Sequence, residues 1–317
     1  MMDWTDRHCR FFHRLMSRRV RLYTEMVTAP ALVRGDARHL LRFDPAEHPV
    51  AVQLGGSEPE ELAEAARMAE AEGYDEVNLN VGCPSDRVQS GAFGAVLMKQ
   101  PDLVAECLKA MRAAVAVPVT VKCRIGVDDQ EPRQVLPDFL TRVRDVGVRQ
   151  VAIHARKAWL QGLSPKENRD IPPLDYDLVF EMKDRFPDLS ISVNGGVDTL
   201  DAATTFLDRG LDGVMIGRAA YASPWDILGG ADRVIFGDTP PFQTPDQVVL
   251  AMLPYIEAHL AEGGRLNAIT RHMLGLFSGR PGARTWRRVL SEGAHVPGAG
   301  TGVVLAALDG MAERAAG

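Results

Sequence analysis

Short apolar runs rich in β-branched residues recur along the chain and predict the strands of a sheet. Amphipathic helical patterns lie between most of them, at residues 58–73, 102–115, 137–147 and 199–210. Near-continuous apolar strands that alternate with helices are typical of a parallel α/β sheet. Since eight such units close a (β/α)8 barrel, or TIM barrel, we expect that fold. The predicted strands are residues 21–27, 49–55, 75–82, 117–126, 149–156, 189–196 and 211–218.

Seven predicted strands are one fewer than the eight that close a TIM barrel. The residues MMDW at positions 1–4 are followed at once by a basic stretch with helical spacing. A loop after a strand begins in this way, so we expect the first barrel strand to be truncated in this chain. A closed barrel has no edges. Loss of a strand should therefore expose backbone near residues 22–27 and 213–218, loosen a bound cofactor and favour aggregation.

The pattern changes after about residue 238. A proline-rich joint, FGDTPPFQTPDQ, precedes four stretches with helical spacing and no strand-like run. The sequence therefore predicts two domains, a barrel over residues 1–238 and a small bundle of about four helices over residues 239–317.

Composition narrows the class of protein. The chain has 317 residues, a net charge of −6 and four scattered cysteines without metal-binding spacing. No run reaches the ~20 apolar residues of a membrane span, and the N-terminus lacks a secretory signal. We expect a reduced, cytoplasmic protein with no membrane association, no metal and no obligate protein partner.

Every predicted strand ends in a polar group, and in a barrel these ends share one rim, where active sites lie. The last two strands end in NGG and IGR, and such loops often bind a phosphate through backbone N–H groups. Either motif alone could be an ordinary tight turn, whereas the pair favours a phosphate site. The polar groups at the strand ends are Glu25, Gln53, Asn80, Cys83, Lys122, Arg124, His154, Arg156, Asn194, Gly195, Gly196, Gly217 and Arg218.

A flavin fits this rim. Lys122 lies inside an apolar strand, where an ammonium needs an anion, and reduced flavin is anionic around N1 and O2. Gln53 offers the donor and acceptor that match the flavin N3–H and O4. His154 shares the rim, so we expect a flavin contact rather than a purely structural histidine. Because no GxGxxG opens a helix after a strand, FMN fits better than FAD.

Cys83 stands at the tip of NLNVGCPS, on the loop above the expected flavin. A thiol with an ordinary pKa is protonated at pH 7, so it can donate a proton while flavin N5 donates a hydride. The two transfers together reduce a polarised C=C bond. A nucleophilic or redox role would need a base or a second cysteine, which the motif lacks. Cys9, Cys107 and Cys123 are interpreted as small buried hydrophobes.

These motifs, with LYTEM, VKCRIG, IHAR and SPKENRDIPPLDY, resemble the tRNA-dihydrouridine synthases, of the DusA type, over residues 1 to about 290. The resemblance implies an FMN barrel and a helical tRNA-binding domain. It implies reduction of a D-loop uridine, at position 20/20a, to 5,6-dihydrouridine, with NADPH re-reducing FMN. Cys83 is the implied proton donor. The implied FMN contacts are Met1, Met2, Gln53, Lys122, His154, Asn194, Gly195, Gly196, Gly217 and Arg218, and the implied tRNA contacts are Asn80, Lys166, Arg169, Arg284 and Arg287.

Two arginine-rich stretches support an RNA partner independently. Residues 263–290 carry six arginines and no acidic residue, and residues 7–21 also carry six arginines. Such patches on a net-acidic protein suit a partner that is recognised through its backbone. A uridine inside folded tRNA would have to be flipped out to reach a barrel.

Two other functions are also compatible with these sequence features. An FMN barrel that reduces a free pyrimidine, as a dihydroorotate dehydrogenase does, would share the barrel chemistry but would not need the arginine-rich helical region. A non-catalytic tRNA-binding protein would not need Cys83, Lys122 and the phosphate loops, and a flavin absorbance band in the purified protein would count against it.

Overall fold

The computed structural model describes residues 1–85 and 93–315, with side chains as far as residue 311. Residues 86–92 of the predicted barrel domain and 316–317 of the predicted helical domain lie outside the described residues. All seven predicted strands are present. They are β1 (Leu22–Thr28), β2 (Val50–Gly55), β3 (Glu76–Val81), β4 (Val119–Arg124), β5 (Gln150–His154), β6 (Ser190–Asn194) and β7 (Gly213–Met215).

The strands form one parallel sheet in sequential order, β1 to β7, as the barrel prediction requires. Neighbouring strands are joined through helices on the outside, the (β/α) arrangement predicted from the alternating pattern. Within the described residues β1 and β7 are the two edges, and they do not pair with each other. The sheet is therefore an open barrel of seven strands.

Helices connect the strands and continue beyond them. The predicted helix at 137–147 begins earlier, at Pro132, because proline favours the first helical position and the Glu131 side chain accepts from the Arg133 N–H (3.4 Å). The helices are α1 (Arg7–Met16), α2 (Ala29–Val33), α3 (Pro59–Glu72), α4 (Pro101–Ala114), α5 (Pro132–Asp145), α6 (Glu167–Asp170), α7 (Tyr176–Arg185), α8 (Leu200–Asp208), α9 (Arg218–Ala222), α10 (Pro224–Phe236), α11 (Pro245–Ala261), α12 (Leu266–Met273), α13 (Ala283–Gly293) and α14 (Thr301–Ala315).

Short 3₁₀ turns lie at Arg38–Leu41, Pro45–Glu47 and Gly94–Lys99. No helix in residues 1–85 or 93–315 is both long and apolar enough to cross a membrane.

The apolar side chains form two cores. The larger lies between the sheet and helices α2 to α5, α7 and α8. The smaller lies among α11 to α14 and includes Trp286, whose indole Nε1–H donates to the Met273 carbonyl (2.9 Å). Phe12 of α1 and Ile227 of α10 also belong to the smaller core. The N-terminal helix and the last barrel helix therefore join the barrel to the bundle.

Candidate active site

The carboxyl ends of the strands open into one cavity of about 1020 Å³. This cavity brings together all ten predicted cofactor contacts with the predicted proton donor and two of the predicted tRNA contacts. Lys166, Arg284 and Arg287 do not line it. The predicted residues in its wall are Met1, Met2, Gln53, Asn80, Cys83, Lys122, His154, Arg169, Asn194, Gly195, Gly196, Gly217 and Arg218.

The Cys83 loop is held by the strand that precedes it. The Asn80 Oδ1 accepts from the backbone N–H groups of Gly82 and Cys83, at 2.9 Å each. The Cys83 carbonyl in turn accepts from the Ala95 N–H (2.9 Å), and its Sγ lies 3.5 Å from the Ser85 hydroxyl. Four hydrogen bonds or close polar contacts thus fix a partly exposed thiol at the cavity wall.

The other three cysteines are buried, as predicted. Cys9, Cys107 and Cys123 are 0% exposed. Burial raises the pKa of Cys107 and Cys123 to about 12 and raises that of Cys9 further, so these thiols stay protonated and unreactive. Among the cysteines, all four of which lie in the described residues, Cys83 alone lines the cavity.

Lys122 projects from β4 into the cavity wall. Burial, and then the neighbouring Arg124 charge, lower the pKa of Lys122 to about 8. Among the described residues no carboxylate lies within ion-pair distance of its ammonium, since none of the ion pairs there includes it. A desolvated cation without a counter-charge in a cavity is the arrangement expected where an anionic ligand binds.

His154 ends β5 with an unsatisfied ring nitrogen. Its Nε2 is buried and has no hydrogen-bond partner in the described part of the chain. Burial, followed by the charges of Arg124 and Lys122, holds the pKa of His154 well below its usual range, so the imidazole is neutral. A neutral ring can offer either a donor or an acceptor to a ligand in the cavity.

The NGG turn after β6 is shaped around this histidine. Gly195 has φ +103°, and a Cβ there would lie 2.5 Å from His154 Cδ2. Gly196 has φ +73°, and a Cβ there would lie 2.5 Å from the Tyr176 hydroxyl. Both positions therefore require glycine, because the backbone is left-handed there and a side chain would collide with His154 or Tyr176.

Two arginines face the same side of the cavity from α6 and α9. The Nε of Arg169 is buried without a partner among the described residues, and burial lowers the pKa of this guanidinium. Arg218 pairs with Asp170 (2.7 Å) and donates to the Arg169 carbonyl (3.3 Å). The Arg218 charge also contributes to the lowered pKa of Arg169, and two neighbouring guanidiniums at a cavity wall favour the binding of a phosphate or another anion.

Arg124 is a functional candidate for which the sequence alone indicates no role beyond a place on the rim. It is 2% exposed, and its Nε donates to the Gly82 carbonyl (3.0 Å). Its Nη1 donates to the carbonyls of Lys157 (3.0 Å) and Asn168 (2.9 Å). Arg124 therefore ties the Cys83 loop to the segment that carries Arg169. Its alternation with Lys122 on one strand was the signal that could have identified it.

The predicted tRNA contacts fall into two groups. Asn80 and Arg169 line the cavity, whereas Lys166, Arg284 and Arg287 are exposed. All six arginines of residues 263–290 are exposed, so this stretch presents a basic surface, as predicted.

The basic stretch at residues 7–21 is only partly exposed, so the arginine patch predicted there is smaller than the sequence indicates. Arg10 is 3% exposed and pairs with Glu47 (2.6 Å). Arg14 is 6% exposed and donates to the carbonyls of Ser17, Val20, Glu47 and Pro49. Arg21 pairs with Glu76 and Arg19 with Asp238. Arg10 and Arg14 are therefore satisfied inside the protein and attach α1 to the segment before β2, whereas Arg18, Arg19 and Arg21 are exposed.

Comparison with known proteins agrees with this geometry. A family model described as "Dihydrouridine synthase (Dus)" matches residues 1–312. The chain belongs to the dihydrouridine synthase family. This confirms the relationship predicted from the motifs. Three similar relatives are each named tRNA-dihydrouridine(20/20a) synthase. The one from Shewanella oneidensis is 59% identical over 96% of this chain and 90% of its own length. The corresponding values are 57%, 97% and 94% for Vibrio cholerae and 56%, 99% and 90% for Escherichia coli K12.

A solved structure supports the barrel fold. Morphinone reductase matches with a TM-score of 0.51 over 77% of this chain and 84% of that protein. The sequence identity is 15%, so the likeness concerns the barrel fold alone.

Proposed function

We propose that the protein reduces a uridine of the tRNA D-loop, at position 20/20a, to 5,6-dihydrouridine, with FMN as cofactor and NADPH as reductant. The observation that carries the proposal is the single cavity in which Cys83, the unpaired Lys122 and the unsatisfied His154 meet two glycine-containing loops. The names of the relatives from three bacterial species support the same tRNA positions.

The residues present fit FMN. Lys122 offers a counter-charge to an anionic ring, and Gln53, 9% exposed, faces the same cavity with an amide. The buried His154 Nε2 and Arg169 Nε are two polar atoms that a ligand would satisfy. Gly195, Gly196, Gly217 and Arg218 provide close backbone approach and positive charge for a single phosphate. When bound, FMN would supply the hydride, having accepted one from NADPH.

Cys83 would complete the reduction of the C5=C6 bond. A hydride adds to one carbon and the Cys83 thiol donates its proton to the other, so that two hydrogens are added and the thiolate is left to be reprotonated from solvent. Arg124 holds the Cys83 loop from the other side, because its Nε donates to the neighbouring Gly82 carbonyl. The fixed loop keeps the thiol in place during the transfer.

The helical domain would bind the body of the tRNA. Arg284 and Arg287 are exposed on α13, whereas Trp286 between them is buried. A positively charged surface of this kind binds phosphates without reading the sequence. Lys166, exposed near the cavity mouth, would contact the backbone on either side of the flipped uridine.

One experiment tests cofactor and reaction together. The purified protein is denatured, and the released flavin is identified by chromatography, with FMN expected. The holoprotein is then incubated with NADPH and an unmodified tRNA transcript, and dihydrouridine is mapped by chemical cleavage. We expect the signal at position 20/20a and none with the Cys83→Ala variant. Absence of flavin, or reduction of free uridine as fast as of tRNA, would refute the proposal.

A further inference from the structure

A continuous chain of side-chain hydrogen bonds runs through the barrel from the Cys83 loop to its opposite end. Asn80 Nδ2 donates to Gln53 Oε1 (2.7 Å), and Gln53 Nε2 donates to Asn78 Oδ1 (2.9 Å). Asn78 Nδ2 donates to Thr120 Oγ1 (2.8 Å), and Thr120 Oγ1 donates to Glu76 Oε1 (2.6 Å). All five residues are at most 9% exposed and line the cavity.

The direction of this chain is determined at both ends. At the loop, Asn80 Oδ1 faces two backbone N–H groups, which can only donate, so its Nδ2 must face Gln53. Each following amide is then oriented in the same way, with its oxygen towards the preceding NH2 group and its own NH2 group towards the next acceptor. At the far end the Glu76 carboxylate can only accept, from Thr120, from the Tyr23 hydroxyl (2.8 Å) and from Arg21. The two ends agree, so no amide in the chain has a second orientation of equal energy.

Burial and the Glu76 charge raise the pKa of Tyr23, so its hydroxyl remains a donor to that carboxylate. Glu76 is therefore surrounded by donors and anchors the chain. The strand register makes the connection possible, because Asn78 lies opposite both Gln53 and Thr120 on the two neighbouring strands.

We propose that Thr120 and Glu76 are positioning residues that act through Asn78 to fix which atoms Gln53 and Asn80 present to the cofactor and the substrate. In the chain, Gln53 keeps one N–H and one lone pair free, and Asn80 keeps one N–H free. The inference rests on the proposed function, since it assigns Gln53 to the flavin.

Loss of the Thr120 hydroxyl would leave the buried Asn78 Nδ2 without an acceptor. An unsatisfied buried donor is costly, so Asn78 would turn to find another partner and release Gln53 Nε2. Gln53 would then be free to rotate, and its match to a ligand would weaken. The effect should reach the cofactor through Gln53 and through no other path.

A double-mutant cycle tests this path. Apoprotein of the parent, Thr120→Val, Gln53→Met and the double variant is titrated with FMN, and the dissociation constant is read from quenching of flavin fluorescence. Thr120→Val should weaken FMN binding about fivefold to tenfold, the worth of one hydrogen bond. In the Gln53→Met background the same change should have no further effect.

Two controls separate positioning from general damage. Thr120→Ser keeps the hydroxyl and should restore the parent dissociation constant. Ser190 of β6, which pairs with Gln150 of β5, lines the same cavity but takes no part in the hydrogen-bond chain. Ser190→Ala should therefore leave FMN binding unchanged. If Thr120→Val does not fold, Glu76→Gln takes its place in the test. The glutamine side chain can donate as well as accept, so this variant should weaken FMN binding in the same way.

The outcomes are distinguishable. A parent protein that fails to bind FMN refutes the proposed function itself. A parent that binds FMN, with additive effects of Thr120→Val and Gln53→Met, overturns the positioning role alone. Equal weakening by Thr120→Val and Ser190→Ala would also overturn it, because a hydroxyl outside the chain would then matter as much.

Discussion

Replacement of Lys122 by methionine should remove the pH dependence of flavin binding. In the ligand-free protein burial lowers the pKa of Lys122 from 10.5 to about 8. A tenfold change in proton affinity corresponds to about 1.4 kcal/mol, so charging this lysine in the cavity costs on the order of 3 kcal/mol. An anionic ligand would restore the charged form, and its binding would then take up a proton above pH 8.

The FMN affinity should depend on pH only above the pKa of Lys122 in the ligand-free protein. Below pH 8 the lysine is already charged, and the FMN affinity of the parent should be nearly constant. Above pH 8 the affinity should fall, approaching tenfold per pH unit. The stability of the ligand-free protein should change with pH in the opposite direction to the FMN affinity, because between pH 8 and 10.5 only the unfolded chain retains the Lys122 proton. Its free energy of unfolding should therefore rise with pH in that window.

The assay is titration of apoprotein with FMN at intervals from pH 7 to 9.5. Lys122→Met should bind FMN more weakly at pH 7 and show no slope above pH 8. Lys109→Met, which removes an exposed lysine of α4, should retain the parent profile. Repeating the series in a Cys83→Ala background excludes a contribution from the nearby thiol.

Two results would refute the reasoning. One is a parent dissociation constant that stays the same from pH 7 to 9.5. The other is a Lys122→Met variant with the affinity and pH profile of the parent. Either would mean that the Lys122 ammonium does not face the anionic part of the cofactor.

Three further predictions concern the proton donor, the RNA surface and the glycine turn. Cys83→Ala should retain FMN and NADPH oxidation while tRNA reduction falls about 100-fold or more, and near-normal dihydrouridine formation would exclude the proton-donor role. Charge reversal at Arg284 and Arg287 should raise the KM for tRNA and lower the salt dependence of binding by about 1 to 2 in log–log slope, with NADPH oxidation unchanged; an identical slope would place the tRNA elsewhere. Gly195→Ala, at φ +103°, should weaken FMN binding at least tenfold by displacing His154, and a parent-like dissociation constant would contradict the tight packing there.

The sequence by itself determined the strands and the location of the site. Apolar runs of β-branched residues predicted all seven strands because strands of a parallel sheet are covered by helices and bury such residues. Polar residues at their carboxyl ends predicted the site because parallel strands end at a common edge. The cofactor contacts predicted at Gln53, Lys122, His154 and Gly195 accordingly line one cavity.

The charge pattern was less informative about where each charge lies. Arginines at residues 7–21 and 263–290 looked alike in the sequence, yet Arg10 and Arg14 are buried against Glu47 while Arg284 and Arg287 are exposed. A charged residue is stable inside the protein only when partners surround it, and those partners come from elements distant in the chain. The sequence pattern of a single helix does not contain that information.

Tertiary structure alone decided which inward-facing residues touch. The period of two along a strand predicts that Glu76, Asn78 and Asn80 share a face, and that Thr120 and Lys122 do. It does not predict that Asn78 lies opposite Thr120, which depends on the register between β3 and β4. Register is set by how whole strands and their covering helices pack, so a hydrogen-bond chain that crosses three strands exists only in the folded barrel.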